Sequence, residues 1–279
     1  MKRILVPIDF SEEANNALLT AHSLAKDTKA DILLLHVVED PHYNAFETVG
    51  ESHYDPMQNL YILKLIEKTK ERLQAIIDDP KFGDMNISYK VDMGNTYKSI
   101  VEHITIHKSS LILMGTKGSS GLQEILVGSV TDKVVRHANC PVITVKQFRD
   151  LSSVKNIVFA TDLKDDQIQV IDELKLMQKH YGAKIHIVKV YDSTWLREDE
   201  VEERIKRFAL HVKLENFTVN VVRYNDEAEA IMGFASDIDA DMIAMGTHDR
   251  HGLLHLLAGH VSKDVINHAP RPIWTKAIK

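Results

Sequence analysis

The sequence predicts an α/β protein built as two tandem doubly wound domains, each a five-stranded parallel sheet flanked by helices. Three observations carry this reading. Short apolar runs of strand length alternate with longer segments of helical period, the pattern of repeated β-α-β units. The opening run recurs, with KRILVPIDF at residues 2–10 aligning on KNIVFATDL at 155–163 and Asp9 falling over Asp162. A glycine-punctuated stretch over 111–145, LILMGTKGSSGLQEILVGSVTDKVVRHANCPVITV, also recurs over 242–275 as MIAMGTHDRHGLLHLLAGHVSKDVINHAPRPIWT. There Gly115 matches Gly246 and Gly128 matches Gly259. A repeat of this length with matched element order means a duplicated domain. The sequence places the two copies at 1–147 and 154–279.

In the first copy, residues 3–8 are a continuously apolar run of the kind buried in a parallel sheet. Asp9 and Ser11 follow at its carboxyl end, where either can cap the next helix, and Glu12 and Glu13 suit the positive end of its dipole. Ala14, Ala17, Leu18, Ala21, Leu24 and Ala25 mark that helix, and 30–38 (ADILLLHVV) is the second strand. The polar segment 39–56, with His42 and His53, is too long for an ordinary connection and reads as a flap or surface loop. A long helix over 57–78, a strand over 86–92, a helix over 96–108, and strands at 111–115 and 141–145 complete the copy. A polar link over 146–155 leads into the second copy. That copy has strands at 156–160, 183–190, 217–223, 242–246 and 272–276, with helices at 168–181, 198–213 and 226–236 and one before the last strand. It lacks the long insertion. The apolar fifth strands would be open sheet edges that need cover. Pairing them would make the chain an intramolecular pseudo-dimer, with a homodimer as a further possibility.

Composition bounds the function. The net charge of −6 argues against a general nucleic-acid binder. No apolar run approaches a membrane span, and the first apolar run stops at Asp9, as a strand does and a secretory leader does not. The lone Cys140 excludes an internal disulfide and fits a reducing compartment, so the expected location is cytoplasmic. Cys140 itself reads as a small buried thiol, and His36 and His186, within strands, read as core histidines with partners.

The glycine stretch is where chemistry is expected. Gly115 can end its strand with positive φ, Gly118 permits close approach of backbone to a ligand, and Gly128-Ser129 open a helix whose free N–H groups can hold phosphate oxygens. In a doubly wound sheet this loop and Asp9 meet at the carboxyl ends of central strands, the usual ligand position. Asp9 is placed to meet ribose hydroxyls or a base edge. The bland alternative is that the glycines only turn the chain.

The spacing Gly115-x2-Gly118-x9-Gly128-Ser129, the opening Pro7-Ile8-Asp9-Phe10-Ser11 and the closing Cys140-Pro141-Val142 resemble the universal stress protein family, over essentially the whole chain. The resemblance implies an adenine nucleotide alpha hydrolase-like fold and a bound ATP, with ADP or AMP as alternatives and magnesium as an optional companion. It puts phosphates over Gly118, Gly128 and Ser129, with Ser129 and Val130 serving the terminal ones. Ribose falls near Asp9 and Gly115, and adenine near the Val37 backbone and Met114. Pro7 belongs to the same set through the opening pattern. The implied role is a stress-response regulator or sensor that answers to an unidentified protein partner. A weak ATPase or nucleotidyl-transferring enzyme and a nucleotide-free interaction module are the alternatives. No catalytic residue is assigned, since there is no GxxxxGK[ST], no G-x-S-x-G elbow and no evident general base except an approach by His42 or His53.

The second copy departs from the pattern. Asp249 replaces the glycine matching Gly118 and His260 replaces Ser129, so a carboxylate and a Cβ stand where polyphosphate would lie. It is expected not to bind ATP in the family's manner. His251 and His255, spaced i,i+4 among His248, His260 and His268, invite a zinc reading, but a solvated loop suffices because zinc needs further ligands.

Overall fold

The computed structural model describes residues 1–39, 56–116, 128–191, 197–248 and 258–278. Among the described residues ten strands form one continuous sheet. The first copy contributes β1 (Arg3–Pro7), β2 (Asp31–Val38), β3 (Ile87–Met93), β4 (Leu111–Gly115) and β5 (Val142–Val145). The second contributes β6 (Asn156–Ala160), β7 (Lys184–Tyr191), β8 (Phe217–Arg223), β9 (Met242–His248) and β10 (Ile273–Ile278). The order is β3-β2-β1-β4-β5-β10-β9-β6-β7-β8, parallel within each half. The two halves join where β5 runs antiparallel to β10, with Ile143 opposite Trp274. The exposed edge expected of each fifth strand is thus covered by the other copy's, which satisfies both rows of backbone groups.

Among the described residues eight α-helices cover the two faces: α1 (Glu12–Thr28), α2 (Pro56–Ile77), α3 (Thr96–Ile106), α4 (Ser129–His137), α5 (Ile168–Tyr181), α6 (Glu198–His211), α7 (Glu227–Asp237) and α8 (Ala258–His268). One core layer packs α1 and α5 on the sheet through Leu18, Leu24, Ile171 and Leu174. The other packs α3, α4 and α7 through Ile100, Ile104, Val134, Val135 and Ile231. Among the described residues, no helix is long and apolar enough to cross a membrane.

The polar link over 146–155 proves half internal. Leu151 and Val154 are buried, and Tyr181 Oη donates to the Leu151 carbonyl at 2.8 Å. Two lysines brace the seam reciprocally by capping the carboxyl ends of the opposing helices. Lys146 Nζ donates to Asn267 O at 2.5 Å and Lys276 Nζ to Asn139 O at 2.6 Å.

Candidate functional site

β1 has β2 on one side and β4 on the other, so the chain reverses direction of winding between β1 and β4. A cleft opens at the carboxyl ends of these strands, as expected at such a switch point. It has a volume of 630 Å³ and is lined by Pro7, Asp9, Glu13, Ala14, Val37, Glu39, Thr96, Met114, Gly115, Gly128, Ser129, Val130 and Thr131, among others. Every site residue expected from the sequence faces this cleft except Gly118, which lies outside the described residues.

The backbone around Asp9 is held in an unusual shape. Phe10 has φ of 64°, a left-handed conformation that disfavours a side chain. Its ring offsets that cost by packing beside His36, centroids 4.9 Å apart, with the Arg72 guanidinium 3.7 Å above it. Past this turn the Ser11 N–H and hydroxyl both donate to Asp9 Oδ1, at 2.9 and 2.5 Å. Ser11 Oγ in turn accepts from Ala14 N–H at 3.2 Å and so caps α1. Asp9 therefore braces the cap rather than supplying it, and it lines the cleft.

Gly115 needs correction. It lies within β4 and is not among the positive-φ residues. What it supplies is the absence of a Cβ. A methyl there would collide with the Glu13 carbonyl and sit 2.8 Å from Ala14 N, so only glycine lets the start of α1 rest on β4. Gly128 differs again: a Cβ there would meet nothing within 4 Å. It precedes α4 with no side chain to cap the helix, and Asp132 N–H, bonding Gly128 O at 3.0 Å, is the first donor used inside the helix. The N–H groups of Ser129, Val130 and Thr131 therefore have no acceptor within α4, and none has a side-chain cap of the kind Ser11, Asn95 and Asp226 give one N–H each in α1, α3 and α7; α5 and α6 also start without such a cap. An uncapped helix start beside a cleft is suited to an anion.

Thr96 and Glu39 were not expected in the site. Thr96 Oγ1 donates to Glu39 Oε1 at 2.6 Å, closing the wall opposite Asp9. The available signal was the strand-to-helix turn Met93-Gly94-Asn95, which puts Thr96 at the same end of the sheet. Gly94 has φ of 124° there.

The corresponding place in the second half holds a cleft of only 120 Å³. Its frame is retained: Leu163 repeats the left-handed φ of 64°, and Lys164 N–H donates to Asp162 Oδ1 at 3.2 Å as Ser11 does to Asp9. The filling differs. Lys164, in the place of Ser11, sets its ammonium 2.6 Å from Asp162 Oδ2. Gln167, in the place of Ala14, is only 3% exposed and sends its side chain to Gly246, where a Cβ would lie 2.8 Å from Oε1 and 2.7 Å from Ile278 Cδ1. The helix α8 begins at Ala258, so Gly259 is taken into it, whereas Gly128 stands ahead of α4. Asp249, His251 and His255 lie outside the described residues, as do His42 and His53, and the side chain of His260 is not described. Among the described residues no cluster of three or more His, Cys, Asp or Glu could hold a metal.

The histidines and the cysteine set aside from the sequence are structural. His36 Nδ1 bonds Ile8 O at 2.6 Å. His186 bonds Asn156 Oδ1 at 3.1 Å and Thr218 Oγ1 at 2.8 Å, and burial lowers its pKa. Burial pushes the Cys140 thiol up to about 12, which leaves it without thiolate character near neutrality.

Comparison with known proteins agrees with this architecture. The model of the universal stress protein family matches the chain twice, over residues 1–146 and 153–275. The chain belongs to that family, as a tandem member. One universal stress protein of Methanocaldococcus jannaschii is 30% identical over 146 residues, which are 52% of this chain and 82% of that protein. A second from the same organism is 27% identical over 154 residues, 52% of this chain and 95% of its own length. The crystal structure of a universal stress protein from Archaeoglobus fulgidus superposes with a TM-score of 0.76, covering 99% of this chain and 98% of that one at 21% identity, which supports the fold alone.

Proposed function

We propose that the chain binds one adenine nucleotide, ATP, in its first copy (1–147), and that the second copy (154–279) is a degenerate partner. The observation that carries this is the contrast between an open cleft of 630 Å³ beside an uncapped helix start and a filled one of 120 Å³. The larger volume is in the range that small-molecule sites occupy, ~300–1,000 Å³. The N–H groups of Ser129 and Val130, with the Ser129 hydroxyl and the Gly118 backbone, would receive phosphate oxygens. Asp9 and Gly115 would border the ribose, and Val37 and Met114 the adenine, with Pro7 closing the floor.

Among its described lining residues the cleft carries Asp9, Glu13 and Glu39 but no lysine or arginine. Polyphosphate charge there calls for a compensating cation, and magnesium is the proposed companion. Asp9 is hydrogen-bonded to Ser11 and Glu39 to Thr96, which fixes one oxygen of each carboxylate. The proposed role is a cytoplasmic regulator or sensor whose partner protein reads nucleotide occupancy, with slow hydrolysis at most.

Mass spectrometry of the small molecule that co-purifies with the protein tests the assignment. ATP is expected, and ADP or AMP would keep the site and change its resident. A nucleotide-free protein whose melting millimolar ATP leaves unaltered, or undiminished ATP binding by Gly118→Asp, would overturn it.

A further inference from the structure

Ile143 and Trp274 pair across β5 and β10, and they are also each other's counterparts in the repeat. The pseudo-twofold axis of the chain therefore passes between them. It passes also between Asp27 of α1 and His180 of α5, counterparts joined by a hydrogen bond between His180 Nε2 and Asp27 Oδ2. On the α1/α5 face this axis relates two grooves, and the chain's own link fills one. There Arg149 N–H donates to Thr20 Oγ1 at 3.1 Å, Leu151 N–H donates to Ser23 Oγ at 2.9 Å, and the Leu151 side chain is buried to 1% exposure.

In the repeat, Thr20 and Ser23 correspond to Glu173 and Leu176 of α5. These two line a cavity of 520 Å³ together with Leu111, Pro141, Met177 and Trp274, and no described residue occupies it. Leu176 is left 67% exposed on its wall. Val154, where the link enters β6, is buried, while its counterpart Met1 stands 43% exposed at the cavity mouth.

We propose that this second groove is a peptide-docking site, taking a non-helical segment of a partner protein anchored by a leucine-sized side chain. The filled groove shows what such a wall accepts: a non-helical backbone that turns at Asp150, whose Oδ1 accepts from Ser152 N–H at 2.9 Å, with one buried leucine. In the open groove Glu173 is the repeat counterpart of Thr20 and offers a carboxylate acceptor, with Lys276 Nζ 3.9 Å from its Oε1. Leu176 replaces the second acceptor, Ser23, with apolar surface, which shifts recognition from backbone bonding toward the anchor side chain. The cavity sits at the amino-terminal ends of β4 and β5, at the opposite end of the sheet from the nucleotide cleft. It does not depend on that assignment.

Fluorescence polarisation of a labelled peptide with the sequence of residues 147–154, QFRDLSSV, against the full chain tests the proposal. Saturable binding is expected, weakened roughly tenfold or more by Leu176→Asp or by alanine in place of the peptide's leucine. Leu176 is exposed, so the variant should melt as the parent does. No saturable binding up to about 1 mM peptide overturns the proposal. So does binding that Leu176→Asp leaves intact, or that Ser23→Asp removes instead, since the peptide would then be taking the link's own seat. A cavity that takes up a small apolar dye but no peptide overturns it as well, and marks a small-molecule site.

Discussion

The two clefts of this chain sit on the same frame and differ in what fills them. Both have an Asp two residues past a strand end, both turn through a left-handed residue, Phe10 or Leu163, and both have a glycine in the neighbouring strand. One leaves 630 Å³ and the other 120 Å³. The difference arises from side chains and helix starts on a shared strand frame: Ala14 becomes Gln167, Ser11 becomes Lys164, and the helix start moves so that Gly259 is absorbed. Loss of a ligand space need not disturb a fold. The second copy can keep its core and its half of the seam while the first carries the chemistry.

The seam holds the comparison together, and breaking it has the largest expected effect. Trp274 is fully buried opposite Ile143, and Trp274→Ala should cost about 3–5 kcal/mol in a denaturant titration. The glycines come next. Gly115→Ala meets backbone and should destabilise the first half by roughly 3 kcal/mol, with nucleotide binding lost as α1 is pushed from β4. Gly246→Ala meets mainly the movable ends of Ile278 and Gln167 and should cost about 1 kcal/mol. Equal losses at the two positions would show that the halves do not differ as described.

Opening the second cleft sharpens the same contrast. Lys164→Ser with Gln167→Ala should enlarge it without conferring ATP binding, because Asp249 and His260 remain. Adding Asp249→Gly and His260→Ser should then produce a rise in Tm with ATP, smaller than that of the first site. The first site's own stabilisation is expected at about 2.7 kcal/mol when ligand stands at a hundredfold Kd. A rise already present in the double variant would place the obstruction elsewhere.

The smallest effect is on pH dependence. His186 is half-buried where the first half has Leu33. Burial lowers its pKa from 6.5, so the unfolded chain binds more protons as pH falls below that value. Its contribution to stability is present above pH 6.5 and lost as pH falls through the window between the unfolded and folded values. His186→Leu should flatten the acid-side fall in the urea midpoint slightly. An unchanged slope would assign that fall to the other histidines held neutral by burial, His22 and His107.

Much of the architecture was legible in the sequence because buried parallel strands are continuous apolar runs and the repeat states them twice. The runs at 111–115, 156–160 and 217–223 coincide with β4, β6 and β8, and the helix over 168–181 with α5. Strand ends were less legible. β9 and β10 run two residues further, to His248 and Ile278, because they pair with each other in register to their ends. The seam was readable as two edges that could pair with each other, but its antiparallel direction and its register, Ile143 opposite Trp274, were not. In the site, spacing identified the residues that end strands and start helices, but the physical duty of Gly115 was misjudged, since packing against Glu13 is a tertiary contact with no local signal. Gln167 and Lys164 went unnoticed for the same reason. Their importance comes from what lies across the cleft from them.

Calorimetric titration of magnesium-ATP into the full chain tests the central claim most directly. One site per chain is predicted, abolished by Gly118→Asp and retained in a Gln167→Ala variant. Two sites per chain, or one site that survives Gly118→Asp, would contradict it.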